Sequence, residues 1–307
     1  MIRVENLKKN YAAFPAVKGV SFEVAPGEIV GFLGPNGAGK TTTLRILSGY
    51  MPASGGTAEI SGKDVFRDSR EVRRQTGYLP EDVPLYRDMT VTAYLRFLAG
   101  LKEVPKGQLG SEIDRVIGLT GLEPVAKRLV GKCSKGYRQR TGLAQALLGD
   151  PPVLLMDEPT SGLDPNQVAE VRELIRTLSG EKTVLLSSHI LSEVSQICAR
   201  VLIINNGELV ASGSPDTLAR ELGTGEVLYL RVGESIQFKE LEGVAGVERM
   251  EPVSANACRL NVTDPEETAP RVARWLVDRN VDLLELRPEK ADLEAVFRRL
   301  TGEKNHA

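Results

Sequence analysis

GPNGAGKT, residues 34 to 41, is the stretch of sequence that decides the fold. It matches the pattern G-x-x-x-x-G-K-S/T. It lies between EIVGFL, whose apolar run predicts a buried strand, and TTTLRILSG, which predicts a helix. The glycines let the backbone close around phosphates with its N–H groups pointing inward, and the helix adds the positive end of its dipole. The loop therefore predicts an α/β fold that binds a nucleotide.

Two side chains of this loop are expected to act in phosphoryl transfer. Lys40 can reach the β- and γ-phosphates of ATP, and the hydroxyl of Thr41 can ligate Mg²⁺. A glycine-rich turn with an accidental Lys-Thr pair is the alternative, but the position between a strand and a helix argues against it. The residues predicted to hold the nucleotide are Gly34, Pro35, Asn36, Gly37, Ala38, Gly39, Lys40, Thr41 and Thr42.

A pair of carboxylates follows the apolar run VLLM in VLLMDEP, residues 153 to 159. An acidic pair at the end of a buried strand is poorly explained by packing. If the stretch is considered alone, a chance pair of acidic residues is the alternative. Asp157 is expected to hold Mg²⁺, directly or through water. Glu158 is placed to take a proton from the water that attacks the γ-phosphate. Together with the phosphate loop, the pair predicts ATP hydrolysis.

His189 ends the next predicted strand, TVLLSSH, and the second histidine of the chain is His306. A single histidine at a strand end is more often structural, and two histidines cannot build a histidine-rich metal site. Parallel strands, however, bring His189 to the same edge of the sheet as Glu158. We therefore predict that the imidazole contacts the γ-phosphate and orders the attacking water.

Short apolar segments predict a largely parallel α/β core, since several of them lack polar alternation. Between residues 87 and 150 the pattern changes to helical periodicity, as in TVTAYLRFLAGL, which predicts an all-helical insertion. The strand segments are GEIVGFLG (27–34), PVLLMDEP (152–159), KTVLLSSH (182–189) and RVLIINNGELV (200–210).

A second domain is predicted after the core. The first domain is expected to end at residue 215, with a linker over 216–225 and an α+β accessory domain over 226–307. From VLYLRV onward the pattern reads strand, helix, strand, strand, helix, strand, helix. Its first six elements match the split βαβ of ferredoxin-like domains.

The composition limits the possible functions. The chain has 307 residues, with 39 Lys and Arg against 41 Asp and Glu, so its formal net charge is −2. This charge provides no overall positive electrostatic potential for binding nucleic acid. Its 3 cysteines fit neither a disulfide framework nor a zinc site and favour a reducing cytoplasm. No run approaches the roughly 18 apolar residues that span a bilayer, so we expect that another chain crosses any membrane involved.

The order of the motifs resembles the ATP-binding subunits of ABC transporters over residues 1 to about 215. An aromatic residue at Tyr11 precedes the phosphate loop, and YLPED, CSKGYRQR, LLMDEP, SGLD and the strand-end histidine follow it. The resemblance implies that the chain is a P-loop NTPase of the ABC type, in which ATP lies between the phosphate loop of one subunit and the signature stretch of a second. It further implies that Tyr11 stacks on adenine, that Asp164 lies in a loop crossing between subunits, and that His189 is the switch histidine.

The signature stretch departs from the LSGGQ that is usual in the family. Ser134 and Gly136 are kept, whereas Lys135 replaces a glycine and Tyr137 replaces the glutamine. The resemblance places all four against the partner's ATP. A nucleophilic cysteine at Cys133 and a basic patch for nucleic acid are the alternatives, and a small buried apolar role suits this cysteine better.

Glu81 stands where the family usually has a glutamine that contacts Mg²⁺ and the attacking water. Glutamate can also coordinate Mg²⁺ but adds a charge. A solvated loop residue is the alternative interpretation of this position. The resemblance therefore adds Glu81 to Thr41 and Asp157 as the predicted metal ligands.

The function expected from these motifs is that of an ATP-hydrolysing subunit that works as a head-to-tail dimer. It is expected to drive a separate transmembrane permease, with an identical second subunit, from the inner face of the cell membrane. YLPED, CSKGYRQR and the C-terminal extension resemble bacterial exporters related to drug, sodium and gliding-motility systems. The alternatives are a soluble ABC protein of translation or DNA maintenance and a regulator that senses ATP without hydrolysing it.

Overall fold

The protein is described by a computed structural model that covers residues 1–215, 217–218, 226–234 and 236–289. The chain divides into two compact units, Met1–Ser212 and Gly213–Ala307. Most of the predicted linker over 216–225 lies outside the described residues.

Two sheets are formed by the strands of the first unit. In chain order these strands are β1 Ile2–Tyr11, β2 Phe14–Val24, β3 Ile29–Leu33, β4 Gly55–Ile60, β5 Lys63–Asp64, β6 Thr76–Leu79, β7 Val153–Asp157, β8 Thr183–Ser188, β9 Arg200–Asn205 and β10 Glu208–Gly213.

The central sheet has the strand order β10-β9-β3-β8-β7-β6. The pairs β9–β3, β3–β8, β8–β7 and β7–β6 are parallel. Every residue of β3, β7 and β8 is buried, which explains why these segments are apolar without alternation. Because the strands are parallel, the phosphate loop and the residues after β7 and β8 meet at one edge of the sheet.

The segment over residues 200–210, predicted as one strand, forms two strands. Asn206 and Gly207 separate β9 from β10 with φ angles of 49° and 82°. An Asn-Gly pair with positive φ at both residues makes a tight hairpin turn, and the apolar residues on both sides hid this signal. The turn also contacts the phosphate loop, because the N–H of Gly207 donates to the carbonyl of Ala38 at 3.0 Å.

A four-stranded sheet with the order β2-β1-β4-β5 was not predicted. Its pairs are antiparallel. In β1, Ile2, Val4 and Leu7 are buried, and charged residues lie between them on the exposed side. This sheet covers part of the apolar core that the central sheet shares with α1.

The helices of the first unit lie between these strands. The segment 87–150, for which an all-helical insertion was predicted, contains α3, α4 and α5 and no strand; a single isolated bridge joins Thr90 to Leu129. In chain order the helices are α1 Lys40–Leu47, α2 Ser69–Gln75, α3 Val91–Leu101, α4 Leu109–Leu119, α5 Lys135–Leu147, α6 Pro165–Thr177 and α7 Leu191–Val194.

The second unit contains a four-stranded sheet with the order β12-β13-β11-β14, in which all three pairs are antiparallel. Where the sequence predicted a first helix, the structure has a short 3₁₀ helix over Phe238–Gly243. The predicted last helix, ADLEAVFRRLTGE, lies outside the described residues, and the ferredoxin-like assignment stays a prediction. The elements are β11 Glu226–Val232, β12 Val247–Ser254, β13 Ala257–Val262, α8 Pro265–Val277 and β14 Leu283–Glu289.

Candidate active site

The phosphate loop joins β3 to α1 and ends in a residue that must be glycine. Gly39 precedes α1 with a φ of 108°, and a Cβ at this position would lie 2.7 Å from the carbonyl oxygen of Ala16. Gly37 also has a positive φ of 80°, but the space around it is open. The backbone can therefore approach a ligand at Gly37, while Gly39 fixes the loop against β2.

Lys40 lies at the start of α1 with its ammonium folded toward its own loop. Nζ donates to the carbonyl of Gly34 at 2.6 Å and to that of Pro35 at 3.3 Å. The same atom lies 3.5 Å from Oε1 of Glu158, and both side chains are less than 10% exposed. The ammonium of the phosphate loop is thus paired with the carboxylate predicted to be the general base.

Asp157 and Thr41, two of the three predicted metal ligands, are in contact. The hydroxyl of Thr41 donates to Oδ1 of Asp157 at 3.2 Å. Burial raises the pKa of Asp157, and hydrogen bonds from the hydroxyls of Ser187 and Thr41 oppose that rise.

The oxygen atoms of Thr41 and Asp157 suit Mg²⁺. The part of the chain that the structure describes has no cluster of three or more histidine, cysteine, aspartate or glutamate side chains for a metal ion. Mg²⁺ needs no such cluster, since it is usually held by one or two carboxylates, water and substrate phosphates. The residues present therefore fit a magnesium ion bound together with a nucleotide.

Glu158 and His189 come together as the sequence analysis predicted from their places at strand ends. Oε2 of Glu158 lies 3.0 Å from Nδ1 of His189. The imidazole is 46% exposed, whereas Glu158 is buried. Glu158 has a φ of 48°, a left-handed conformation that strains a residue with a Cβ. Such strain is common where a side chain must point in one direction for function.

A cavity of about 580 Å³ lies in front of these groups. Tyr11, the predicted adenine contact, lines it beside Phe14, its cross-strand partner. Glu81, the third predicted metal ligand, also lines the cavity with an exposed side chain. The lining residues are Tyr11, Phe14, Ala16, Pro35, Asn36, Gly37, Ala38, Gly39, Lys40, Thr41, Thr42, Glu81, Glu158, Ser161 and His189.

The predicted signature residues do not line this cavity. Ser134 caps α5, where its Oγ accepts the N–H of Tyr137 at 3.3 Å. The side chain of Lys135 lies against Gly162, where its Nζ occupies the space that a Cβ would need. Gly136 is buried against the side chain of Gln167. Within one chain, therefore, the signature turn packs against the SGLD loop and α6, away from the chain's own phosphate loop.

Asp164 is likewise outside the cavity, and its side chain has a structural partner. Its Oδ1 accepts the N–H groups of Asn166 at 3.1 Å and Gln167 at 3.0 Å, which caps α6. The two arginines of the signature stretch are engaged as well: Arg138 donates to the carbonyl of Cys133 at 2.6 Å, and Arg140 pairs with Glu170.

Three contacts of the site were not predicted from the sequence. Ser187 donates to Asp157, Phe14 adds a second aromatic ring beside Tyr11, and Gln139 donates to the carbonyl of Pro159 at 3.2 Å. Only the first had a signal in the sequence, since a serine interrupts the apolar run of TVLLSSH just before its end.

The chain is similar to known proteins over nearly its whole length. The family model described as ABC transporter matches residues 17–161. The linearmycin resistance ATP-binding protein LnrL of Bacillus subtilis (strain 168) is 30% identical over 98% of each chain. The Nod factor export ATP-binding protein I of Paraburkholderia xenovorans (strain LB400) is 36% identical over 98% of this chain and 97% of its own.

A solved structure of an ATP-binding subunit of an ABC transporter has the same fold. It superposes with a TM-score of 0.67 at 30% identity, covering 73% of this chain and 93% of its own. The chain belongs to the ABC transporter family, in which it is an ATP-binding subunit and an ABC-type ATPase.

Proposed function

We propose that this chain hydrolyses ATP at the cavity between Tyr11 and His189 and uses the reaction to drive a separate transmembrane permease that exports its substrate. The observation that carries the proposal is the chain of contacts from Lys40 to Glu158 and from Glu158 to His189, at 3.5 and 3.0 Å. Two relatives that align over nearly the whole chain are named for linearmycin resistance and for Nod factor export, which favours an exporter.

The phosphate loop holds the nucleotide in this mechanism. Its N–H groups and the start of α1 bind the phosphates, and the ammonium of Lys40 exchanges its carbonyl acceptors for phosphate oxygens. Tyr11 and Phe14 offer apolar surface to the adenine ring. Mg²⁺, held by Thr41 and Asp157, supplies charge neutralisation at the phosphates when it is bound.

Glu158 takes the proton of the attacking water. Its carboxylate is fixed from two sides, by the ammonium of Lys40 and by the imidazole of His189. When Lys40 turns toward phosphate, Oε1 of Glu158 is released to accept a proton. His189 is the exposed member of this pair, so its ring can reach the γ-phosphate while it orients the carboxylate. Glu81 extends the site on its solvent side.

A second copy of the chain completes the site. Ser134, Lys135, Gly136 and Tyr137 lie outside their own cavity, so they can contact ATP only when it is held by another subunit. The capped loop at Asp164 would lie beside the same interface. Because the signature turn packs on the SGLD loop, the signature turn and this loop would contact the partner subunit together.

The permease is proposed as a separate chain. No helix in the described part of the protein has the length and hydropathy to cross a bilayer. We place the subunit at the cytoplasmic face of the cell membrane through its permease. Arg138 and Arg140 are engaged within the chain, which leaves them less suited to binding a nucleic acid.

The test of this proposal is Glu158→Gln, which keeps size and hydrogen bonding and removes the base. We expect ATP binding to persist, turnover to fall by about 10²-fold or more, and an ATP-bound dimer to accumulate. Turnover, equilibrium ATP binding and size-exclusion chromatography with ATP measure these effects. Purification from membranes in mild detergent, followed by mass spectrometry, should recover a permease. Normal turnover in the variant would remove Glu158 from the mechanism.

A further inference from the structure

Ser187 is a fully buried hydroxyl that touches both acidic residues of the active site. Its Oγ donates to Oδ1 of Asp157 at 2.6 Å. The same oxygen accepts the backbone N–H of Glu158 at 3.0 Å. One side chain therefore uses its donor on the first carboxylate and an acceptor on the backbone of the second.

The register of the central sheet puts Ser187 in this place. β7 and β8 are parallel, and Asp157 is the register partner of Ser187. On its other side, β8 pairs with β3, where Phe32 is the register partner. Neighbouring partners in a sheet point to the same face, so a short hydroxyl at this position reaches the carboxylate without any loop between them.

One contact holds the carboxylate of Asp157, and the other holds the strained backbone of Glu158. Oδ1 of Asp157 has a second donor, the hydroxyl of Thr41, at a longer distance of 3.2 Å. Glu158 has a left-handed backbone with a φ of 48°, a conformation that is strained in a residue with a Cβ. The bond from its N–H to Ser187 holds this peptide in the strained conformation. Without that acceptor the buried N–H would lack a partner among the contacts described.

We propose that Ser187 is a positioning residue for ATP hydrolysis, which sets Asp157 and the backbone of Glu158 in one fixed arrangement. The inference rests on the roles proposed above for these two carboxylates. Ser187 does not line the cavity, and its hydroxyl bonds to Asp157 and to the backbone of Glu158. Its loss should therefore affect the chemical step and the use of Mg²⁺ more than the capture of ATP.

The experiment compares Ser187→Ala with Thr183→Val in the full-length chain. Thr183 begins the same strand, is 3% exposed, and its hydroxyl accepts the N–H of Gly27 at 3.1 Å. Both variants remove from β8 a buried hydroxyl that accepts a backbone N–H. Only the hydroxyl of Ser187 also contacts Asp157.

For Ser187→Ala we expect kcat to fall by about 10- to 100-fold, as is typical when a group that orients a metal ligand is lost. Binding of a fluorescent ATP analogue in EDTA should stay within about twofold, and the Mg²⁺ concentration needed for half-maximal tightening of that binding should rise by about tenfold. Thr183→Val should leave all three quantities near those of the parent. Ser187→Thr, which keeps the hydroxyl, should restore most of the turnover.

Ser187→Cys serves if the alanine variant does not fold, because it keeps the volume and offers only a weak donor. An unchanged kcat in Ser187→Ala or Ser187→Cys would overturn the inference, and so would an equal loss in Thr183→Val.

The Glu158→Gln variant distinguishes failure of this inference from failure of the proposed function. If Glu158→Gln is inactive while Ser187→Ala is normal, only the role of Ser187 is wrong; if Glu158→Gln is active, the proposed mechanism itself fails.

Discussion

Gly136, at the residue scale, has little free space although it lies in the first turn of a helix. A Cβ at this position would lie 2.5 Å from Oε1 of Gln167 and 2.6 Å from its Cδ. Those atoms end a flexible side chain, so they can move when a methyl group is added. A substitution here therefore tests two effects that must be separated: local crowding within the chain, and contact with the ATP of a partner subunit.

We predict that Gly136→Asp abolishes hydrolysis while Gly136→Ala keeps much of it. Both add a Cβ against Gln167, but only aspartate brings a negative charge to the γ-phosphate held by the partner, where repulsion in a poorly hydrated interface is strong. ATP affinity of the isolated subunit should stay within about twofold in both, since the phosphate loop is not in contact with Gly136. Equal loss of turnover in the two variants would show that crowding alone is responsible.

The variant Cys133→Ser tests the hypothesis that Cys133 is a nucleophile. It is 4% exposed, and its Sγ lies 3.5 Å from the carbonyl of Leu129. Cys133→Ser should therefore keep most of the ATPase activity, because a buried thiol with a backbone partner has no route to a substrate. An inactive but folded Cys133→Ser protein would restore the nucleophile hypothesis.

At the scale of elements, the hairpin between β9 and β10 packs against the phosphate loop. Gly207 donates its N–H to Ala38 at 3.0 Å and accepts from the N–H of Lys18 at 2.8 Å. A Cβ on Gly207 would lie 2.8 Å from the carbonyl oxygen of Ala16. The turn thus joins β2, the phosphate loop and the edge of the central sheet.

We predict that Gly207→Ala both destabilises the protein and weakens its ATP binding. The left-handed φ of 82° costs alanine about 1 kcal/mol, and the clash with Ala16 adds to this. Gly62→Ala is the matched control, because Gly62 has a φ of 76° with nothing within 4 Å of its Cβ position. Thermal unfolding should respond in both variants, whereas ATP titration should respond only in Gly207→Ala. Normal ATP affinity in Gly207→Ala would show that the turn does not support the loop.

The strand ends could be predicted from the sequence, but the pairing between strands could not. Asp157, Glu158 and His189 each follow an apolar run, and the parallel arrangement of such runs places their ends at one edge. Register is different, because it depends on atoms from segments that are far apart in the chain. The serine in TVLLSSH is visible in the sequence, but that Ser187 is the register partner of Asp157 is known only from the structure. The pairing of β1 with the distant β4 is a second example.

At the scale of the whole molecule, the active-site groups all belong to the first unit. From Tyr11 to His189, every residue that lines the cavity precedes the division at Ser212. The second unit has its own core, built on Leu228, Leu260 and Leu276 among others. The two units therefore have separate sets of buried residues, as expected for domains.

We predict that a chain ending at Gly223 folds and binds ATP with an affinity within about threefold of the full-length protein. It keeps every strand of the central sheet and both sides of the cavity. Circular dichroism, thermal unfolding and ATP titration test this. An insoluble product, or one that does not bind nucleotide, would show that the C-terminal unit stabilises the first. Loss of ATP-driven dimerisation with normal nucleotide binding would place its role in assembly.

The place of β3 in the sheet has a consequence for how the protein is made. β3 carries the phosphate loop and lies between β8 and β9, neither of which begins before Thr183. A ribosome adds roughly 5–20 residues per second, so IVGFL leaves the exit tunnel on the order of ten seconds before its neighbours exist. During translation this apolar strand lacks both of its partner strands and can be shielded by the nascent β1–β2 ribbon, by α1 or by a chaperone. Slow synthesis between codons 34 and 182 would prolong the exposure, so the gene's codon usage there bears directly on the yield of folded protein.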